Sequence, residues 1–149
     1  MADPFNLERF VLAQAPVITD VLCELRAGQK RTHWMWFVFP QLRSLGLSAR
    51  AQFYGISALA EAEAYAAHAL LGPRLIACAT VIRDIQGRSA QAIFGSPDDM
   101  KLRSSMSLFA AAAPGIRIFG EVLGKYYAGQ PDPRTVALLA GPTPRDGPP

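Results

Sequence analysis

The hydrophobic residues of the chain recur at intervals of three and four, the spacing that places side chains on one face of an α-helix. Val17, Val21 and Leu25 form one such stripe, which stops near Gly28, a residue type that commonly ends helices. The same pattern predicts further helices at residues 59–66, 75–85, 116–127 and 133–139. Helices connected by short segments therefore account for most of the chain.

A second helix signal is a side chain that can cap a helix, directly followed by proline. Proline loses no useful donor at the first helical position, and the Asp or Ser oxygen before it can accept from a free backbone N–H. The pair occurs at Asp3-Pro4, Ser96-Pro97 and Asp132-Pro133, and each predicts a helix that begins there. We expect Ser96 to cap a helix over residues 97–112, with Phe94 and Phe109 in the core.

Evidence for β-strands is weak, because no segment combines sustained alternation of β-branched residues with a hairpin turn. The apolar run within residues 33–42 fits either a short buried strand or a helical turn. The sequence predicts an all-α fold, a compact single domain of about seven to nine short packed helices over residues 1–140. Residues 141–149 hold four prolines in nine positions and are expected to form a disordered tail.

The composition supports one core and limits the classes of partner. Half of the 149 residues are apolar, which is enough for one sizeable core. A net charge of +3, from 15 basic and 12 acidic residues, lacks the dense basic patch typical of nucleic-acid binding, so such a partner is permitted and not indicated. No window approaches the ~18 apolar residues of a membrane span, and no secretion signal is present.

The two cysteines, Cys23 and Cys78, lie within apolar helical patterns and outside any spacing typical of metal ligands. Buried, reduced thiols are the favoured interpretation, and they indicate a cytoplasmic protein. Two histidines without clustered cysteines predict no metal site. No phosphate-binding or dinucleotide-binding glycine loop is present, so no cofactor is predicted.

The first segment that could carry chemistry is residues 30–41, which hold both tryptophans, a histidine and two cations. Stacking surfaces, a group that titrates near neutrality and positive charge together suit a flat anionic ligand such as a nucleotide. The alternative is that the aromatic residues only anchor the core. In either case we expect Trp34 and at least one of Phe37 and Phe39 to be buried. The candidate ligand contacts are Lys30, His33, Trp34, Trp36 and Gln41.

Two further segments carry candidates. Asp98, Lys101 and Ser105 fall on one face of a predicted helix, with Ser104 beside them, and could bind a polar ligand. The alternative is a simple ion pair next to the helix dipole. His68 precedes a helix break and Arg74 follows it, where a cation near a helix N-terminus calls for a negative partner. That partner could equally be an acidic side chain of the same protein.

Several short motifs together resemble the bacterial family known as domain of unknown function 1810, some members of which carry the label calpastatin. The resemblance rests on Asp3-Pro4-Phe5, Arg9-Phe10, Ala13-Gln14, residues 32–41, Leu71-Gly72-Pro73-Arg74-Leu75, Ile93-Phe94-Gly95 and residues 98–109, and covers about residues 3 to 140. It implies an all-α fold of short packed helices and no defined activity. Calpastatin is disordered and repetitive, and this compact apolar sequence is neither, so the label carries no weight.

The polar residues that match this family lie in four helical segments, which predicts that they converge on one cleft. The leading hypothesis is a pocket protein or enzyme that acts on a small anionic ligand of nucleotide or ADP-ribose type. Its expected catalytic residues are His33, Asp98, Lys101 and Ser105, and its expected ligand-binding residues are Lys30, Trp34, Trp36, Gln41, His68, Arg74 and Ser104. The rival hypothesis is a noncatalytic protein-interaction module.

Overall fold

Ten α-helices and one 3₁₀ turn make up the fold of residues 2–141, the part of the chain that the computed structural model describes. In chain order they are α1 (Glu8–Gln14), α2 (Ile18–Arg26), α3 (Met35–Val38), the 3₁₀ turn (Arg43–Leu45), α4 (Ala49–Tyr54), α5 (Leu59–Ala67), α6 (Leu71–Asp84), α7 (Ala90–Phe94), α8 (Asp98–Ala112), α9 (Ile118–Tyr127) and α10 (Pro133–Ala140). The all-α prediction is confirmed. The expected tail lies outside the described residues from position 142 onward.

The number of helices exceeds the expected seven to nine because short helices form where the sequence shows no stripe. The ambiguous aromatic run is one of them, since it folds as the four-residue helix α3. β-type pairing within residues 2–141 is limited to one bridge between Leu42 and Ile56. There the Arg43 N–H donates to the Ile56 carbonyl at 2.8 Å, and the Ile56 N–H donates to the Gln41 carbonyl at 2.9 Å.

Helix α8 lies at the centre of the molecule, where it packs against α5, α7, α9 and α10. Helix α6 packs against α2, α5 and α9, so it shares the neighbours α5 and α9 with α8. Phe109 of α8 contacts Tyr65 of α5 and Phe119 of α9 through ring pairs 5.2 and 5.8 Å apart, and all three side chains are fully buried. Burial of such aromatic surface supplies most of the driving force for folding.

Trp34 is buried, as predicted, together with Phe39. Its ring lies 6.1 Å from Phe39 and 6.5 Å from Phe94, in tilted and edge-on arrangements that aromatic pairs favour. The loop before α3 is thereby fixed to the core through one large side chain.

The three predicted caps behave differently. Asp132 accepts from the Thr135 N–H at 2.9 Å and from its hydroxyl at 2.6 Å, with Pro133 at the first position of α10, as predicted. Asp3 also accepts from two backbone N–H groups, those of Leu7 and Glu8. Residues 4 and 5 form a turn, however, so α1 begins at Glu8 and not at Pro4.

The prediction that Ser96 caps α8 is wrong, although the helix lies where it was expected. Pro97 itself occupies the capping position, no side chain caps the helix, and Ser96 is exposed. The N–H that a cap would satisfy, that of Asp99, donates instead to the Gly95 carbonyl at 2.9 Å. Phe94 and Phe109 are both buried, as predicted.

This difference gives a direct test of capping. Asp132→Ala removes an acceptor used twice at a buried helix start, so it should lower the free energy of unfolding by about 1 to 2 kcal/mol. Ser96→Ala should change it by less than about 0.5 kcal/mol, because an exposed side chain without partners contributes little. Urea denaturation of both variants measures the difference. Equal losses would contradict the assignment of the caps.

The cysteines confirm half of the expectation. Cys78 is buried and free, and burial raises the pKa of its thiol to about 12. Cys23 is free but exposed, so its predicted burial is wrong. It lies between the inward-facing residues Val21 and Leu25, on the outer face of α2.

The helices differ in length and hydropathy from membrane spans. No single helix within residues 2–141 is long and apolar enough to cross a bilayer. The pair α5 and α6 meets the length and composition criteria jointly, but the two helices are bent by 88° relative to each other.

Candidate functional site

The loop that carries the aromatic segment is held by one carboxylate, that of Glu24 on α2. It accepts from the N–H groups of Arg31 and Thr32 at 2.7 and 3.1 Å, from the Thr32 hydroxyl at 2.6 Å and from the Trp34 indole N–H at 3.0 Å. Burial by itself raises the pKa of Glu24, but these hydrogen bonds outweigh it and lower the pKa to about 2. Sequence analysis missed Glu24. The signal was an acidic residue in the last turn of a helix, which the dipole disfavours.

The two tryptophans have different environments. The side chain of Trp34 is 1% exposed, so its predicted role as a ligand contact is not supported and it serves as a core anchor. Trp36 is half-buried, with the Arg50 guanidinium 5.1 Å and the Lys101 ammonium 5.9 Å from its ring centre. The exposed His33 ring lies 6.4 Å from Trp36. Trp36 is therefore an aromatic surface surrounded by basic groups.

The end of α4, which faces Trp36 through Tyr54, is positioned by hydrogen bonds from Arg9. Arg9 of α1, which is 8% exposed, donates to the Phe53 carbonyl at 2.9 Å and to the Gly55 carbonyl at 3.2 Å. It also forms an ion pair with the buried Glu61 at 2.7 Å. This arrangement ties the end of α4, and with it Tyr54, to α1.

A groove runs between α3 and α8, and it consists of two adjoining hollows that share Gln41 and Lys101. The narrow hollow, between Trp36 and Tyr54, has a volume of about 10 Å³, about the least that can hold one water molecule. The wide hollow has a volume of about 360 Å³. Its other walls include Pro97, Met100, Ser104, Asp132 and Arg134. We call the two hollows together the α3–α8 groove.

Charge at the groove is concentrated on the first turn of α8. The Asp98 carboxylate pairs with the Lys30 ammonium at 3.0 Å and with the Lys101 ammonium at 3.7 Å. Arg134, at the start of α10, adds a further positive charge. The Asp132 residue is 8% exposed, and its carboxylate accepts the Thr135 N–H at the start of α10. Its negative charge is therefore used within the protein. The groove is therefore positive overall.

Four of the predicted site residues line the groove: Trp36, Gln41, Lys101 and Ser104. Asp98 and His33 lie next to it through their contacts with Lys101 and Trp36. The Ser104 hydroxyl donates to the Met100 carbonyl at 3.2 Å, which leaves its oxygen available as an acceptor. The aromatic segment and α8, about sixty residues apart in sequence, thus meet at one surface.

Ser105 does not join them. Its side chain is fully buried, and its hydroxyl has no hydrogen-bond partner within the described residues. Ser105 is one turn beyond Lys101, but α8 is covered on several sides by other helices, so this position faces the core. The predicted catalytic role of Ser105 is therefore not supported by its position.

His68 and Arg74 also lie away from the groove. The His68 Nδ1 accepts from the N–H groups of Leu70 and Leu71 at 3.1 and 3.2 Å, so it satisfies two donors at the start of α6. Arg74 is half-buried on α6, near Tyr65. Burial raises the pKa of Tyr65, and the positive charge of Arg74 offsets only part of that rise. The expectation that His33, Arg74, Lys101 and Ser105 share one cleft is wrong for Arg74 and Ser105.

Two basic residues were missed, Arg134 in the wall of the groove and Arg50 beside Trp36. Each lies in the first turn of its helix, α10 or α4, where the helix dipole disfavours a cation. Arg74, in the first turn of α6, has the same unfavourable position relative to its helix dipole. No three His, Cys, Asp or Glu side chains within residues 2–141 are grouped so that they could hold a metal ion.

Comparison with known proteins assigns the chain to a family. The model of the family described as "Protein of unknown function (DUF1810)" matches residues 4–139. The chain belongs to the DUF1810 family. The crystal structure of the conserved hypothetical protein Rv1873 from Mycobacterium tuberculosis is similar to this DUF1810 chain, with 62% identity and a TM-score of 0.91. The match covers 93% of this chain and 99% of that chain. Comparison with curated proteins gives no match.

Proposed function

We propose that this DUF1810 protein binds a small anionic ligand of nucleotide or ADP-ribose type in the α3–α8 groove. The observation that carries the proposal is that Trp36 and Ser104 line two adjoining hollows which share Gln41 and Lys101. A stacking surface, hydrogen-bonding groups and a cation are the elements that recognise such a ligand.

The wide hollow suits the body of the ligand. Its volume of about 360 Å³ falls within the usual range of small-molecule sites, roughly 300 to 1,000 Å³. Lys101 and Arg134 supply positive charge, and Arg134 forms no ion pair with a carboxylate in residues 2–141. Anionic groups of the ligand would lie between them, and Gln41 and Ser104 would supply hydrogen bonds. A flat group would pack against the exposed part of Trp36.

A reaction on the bound ligand would use His33 for proton transfer. Its imidazole can both donate and accept a proton, and it is exposed beside Trp36. Asp98 has both carboxylate oxygens engaged by lysines, so we assign it to charge balance and not to proton transfer. A cytoplasmic location fits the two free cysteines.

The test is calorimetric titration of the wild type and Lys101→Ala with ADP-ribose, AMP and inorganic phosphate. We expect the variant to bind phosphate-bearing ligands about tenfold or more weakly, since a charge-assisted hydrogen bond contributes roughly 1.5 to 3 kcal/mol. Its thermal midpoint should stay near that of the wild type, because Lys101 is partly exposed.

Arg117→Ala is the matched control. It removes one positive charge from an exposed position before α9, beyond the far end of α8, and should bind as the wild type does. Absence of heat with all three ligands would overturn the proposal, and so would equal losses in both variants.

A protein-interaction module is the second candidate, and one surface favours it. Leu12 of α1 and Phe53 of α4 are 66% and 56% exposed and line a hollow of about 450 Å³. Large apolar side chains grouped at a surface are typical of interaction sites. This candidate becomes the better account if the titrations give no heat.

A further inference from the structure

Three charged side chains meet at the start of α8, and their exposures differ. The Lys30 side chain is 7% exposed, that of Asp98 is 20% exposed and that of Lys101 is 31% exposed. Each oxygen of the carboxylate faces a different lysine, with Oδ2 at 3.0 Å from Lys30 and Oδ1 at 3.7 Å from Lys101. The shorter contact belongs to the more buried lysine.

Lys30 is nearly buried beside the groove and is not part of its walls. Its ammonium lies 5.1 Å from the ring centre of the buried Trp34, and its backbone N–H donates to the Ile93 carbonyl at 2.7 Å. It lines neither hollow, whereas Lys101 lines both. The predicted role of Lys30 as a direct ligand contact is therefore not supported, and its charge has to be explained in another way.

We propose that Lys30 is a positioning residue that neutralises Asp98 and so keeps the positive charge of Lys101 available to the ligand. This inference rests on the proposed function of the α3–α8 groove. It explains why a nearly buried lysine lies behind the groove, and why the carboxylate beside the main anion-binding group does not cancel the charge of that group.

The balance of charge carries the argument. Two ammonium groups and one carboxylate leave a net charge of +1 in this three-residue cluster, and the N-terminal end of α8 adds a partial positive charge. Without Lys30, Asp98 and Lys101 would form a neutral pair, and the carboxylate would repel an anion only one side chain away from its site. Low solvent exposure strengthens this effect, because partly buried charges are poorly screened.

The arrangement predicts effects of opposite sign for the two partners. Lys30→Met should weaken the binding of inorganic phosphate and of AMP about tenfold, because Lys101 is then drawn to Asp98. Asp98→Asn should tighten binding about threefold, because it removes the competing negative charge. The double variant Lys30→Met/Asp98→Asn should bind within about threefold of the wild type, because Lys101 is again free.

A purely structural ion pair predicts a different pattern. If the ion pair were only structural, Asp98→Asn would weaken ligand binding as much as Lys30→Met does. Each substitution leaves a poorly exposed charge without its partner and so disturbs the start of α8. The double variant removes both charges and should fold even if Lys30→Met is unstable, and thermal melts of all three variants establish which are folded. The decisive measurement is calorimetric titration of the folded variants with phosphate and with AMP.

The outcomes separate this inference from the proposed function. If the wild type binds neither ligand, both proposals fail. If the wild type binds and Lys101→Ala does not, the groove stands as the binding site. In that case, weaker binding by Asp98→Asn, or unchanged binding by Lys30→Met, would overturn the role of Lys30 alone.

Discussion

Replacement of Trp34 by alanine should lower the free energy of unfolding by about 3 to 5 kcal/mol, because it opens a cavity in the core. The side chain is 1% exposed and packs against Phe39 and Phe94, and its indole N–H donates to Glu24. The loss is a large fraction of the roughly 5 to 15 kcal/mol by which a domain of this size is stable. Urea denaturation with a fixed m-value measures it.

Trp36→Ala is the matched control for Trp34→Ala. The same residue type is removed two positions away, but Trp36 is half-buried at the groove, so its loss leaves a smaller cavity and should cost clearly less. A loss below about 1 kcal/mol for Trp34→Ala would place that ring at the surface and return it to the candidate ligand contacts.

Arg9→Met should be comparably destabilising, by about 3 to 5 kcal/mol, because it leaves a buried carboxylate without a counter-ion. Glu61, which is 1% exposed, pairs with Arg9 at 2.7 Å. Methionine retains much of the packing volume, so the loss comes from charge and hydrogen bonds. The guanidinium also donates to four carbonyls, those of Phe5, Asn6, Phe53 and Gly55.

Arg83→Ala provides the comparison for Arg9→Met. Arg83 forms ion pairs with Asp84 and Glu121 at 3.0 and 2.8 Å, but these groups are at the surface, where solvent screens them. Its removal should hardly shift the urea midpoint. Similar shifts for Arg9→Met and Arg83→Ala would show that burial does not strengthen the Arg9–Glu61 pair. The double variant Arg9→Met/Glu61→Leu should recover part of the loss, because no charge is then left buried.

Local signals predicted the helices well and their starting points less well. Asp132 followed by Pro133 begins α10 as expected, because the whole cap lies within four residues. The same pattern failed at Ser96. The Asp99 N–H, which the Ser96 hydroxyl was expected to accept from, donates to the Gly95 carbonyl instead. A cap depends on the backbone path before the helix, and that path is determined by packing rather than by residue type.

The site was predictable where it depends on spacing within one helix and unpredictable where it depends on packing between helices. Lys101 and Ser104 were predicted as neighbours from helical spacing alone, and both line the groove. Spacing also placed Ser105 beside them, but the helices packed around α8 decide which of its faces is exposed. The meeting of Trp36 with Lys101 depends on how α3 docks on α8. No local pattern contains that information, whereas a cation in the first turn of a helix would have indicated Arg134.

The placement of the two tryptophans gives the protein two distinct optical reporters. Trp34 and Trp36 are the only tryptophans in the chain, one sealed in the core and one open to the groove. Emission from the sealed indole follows unfolding, whereas an aqueous quencher or a bound ligand reaches only the open one. Selective quenching therefore follows occupancy of the groove in the native protein, without any label.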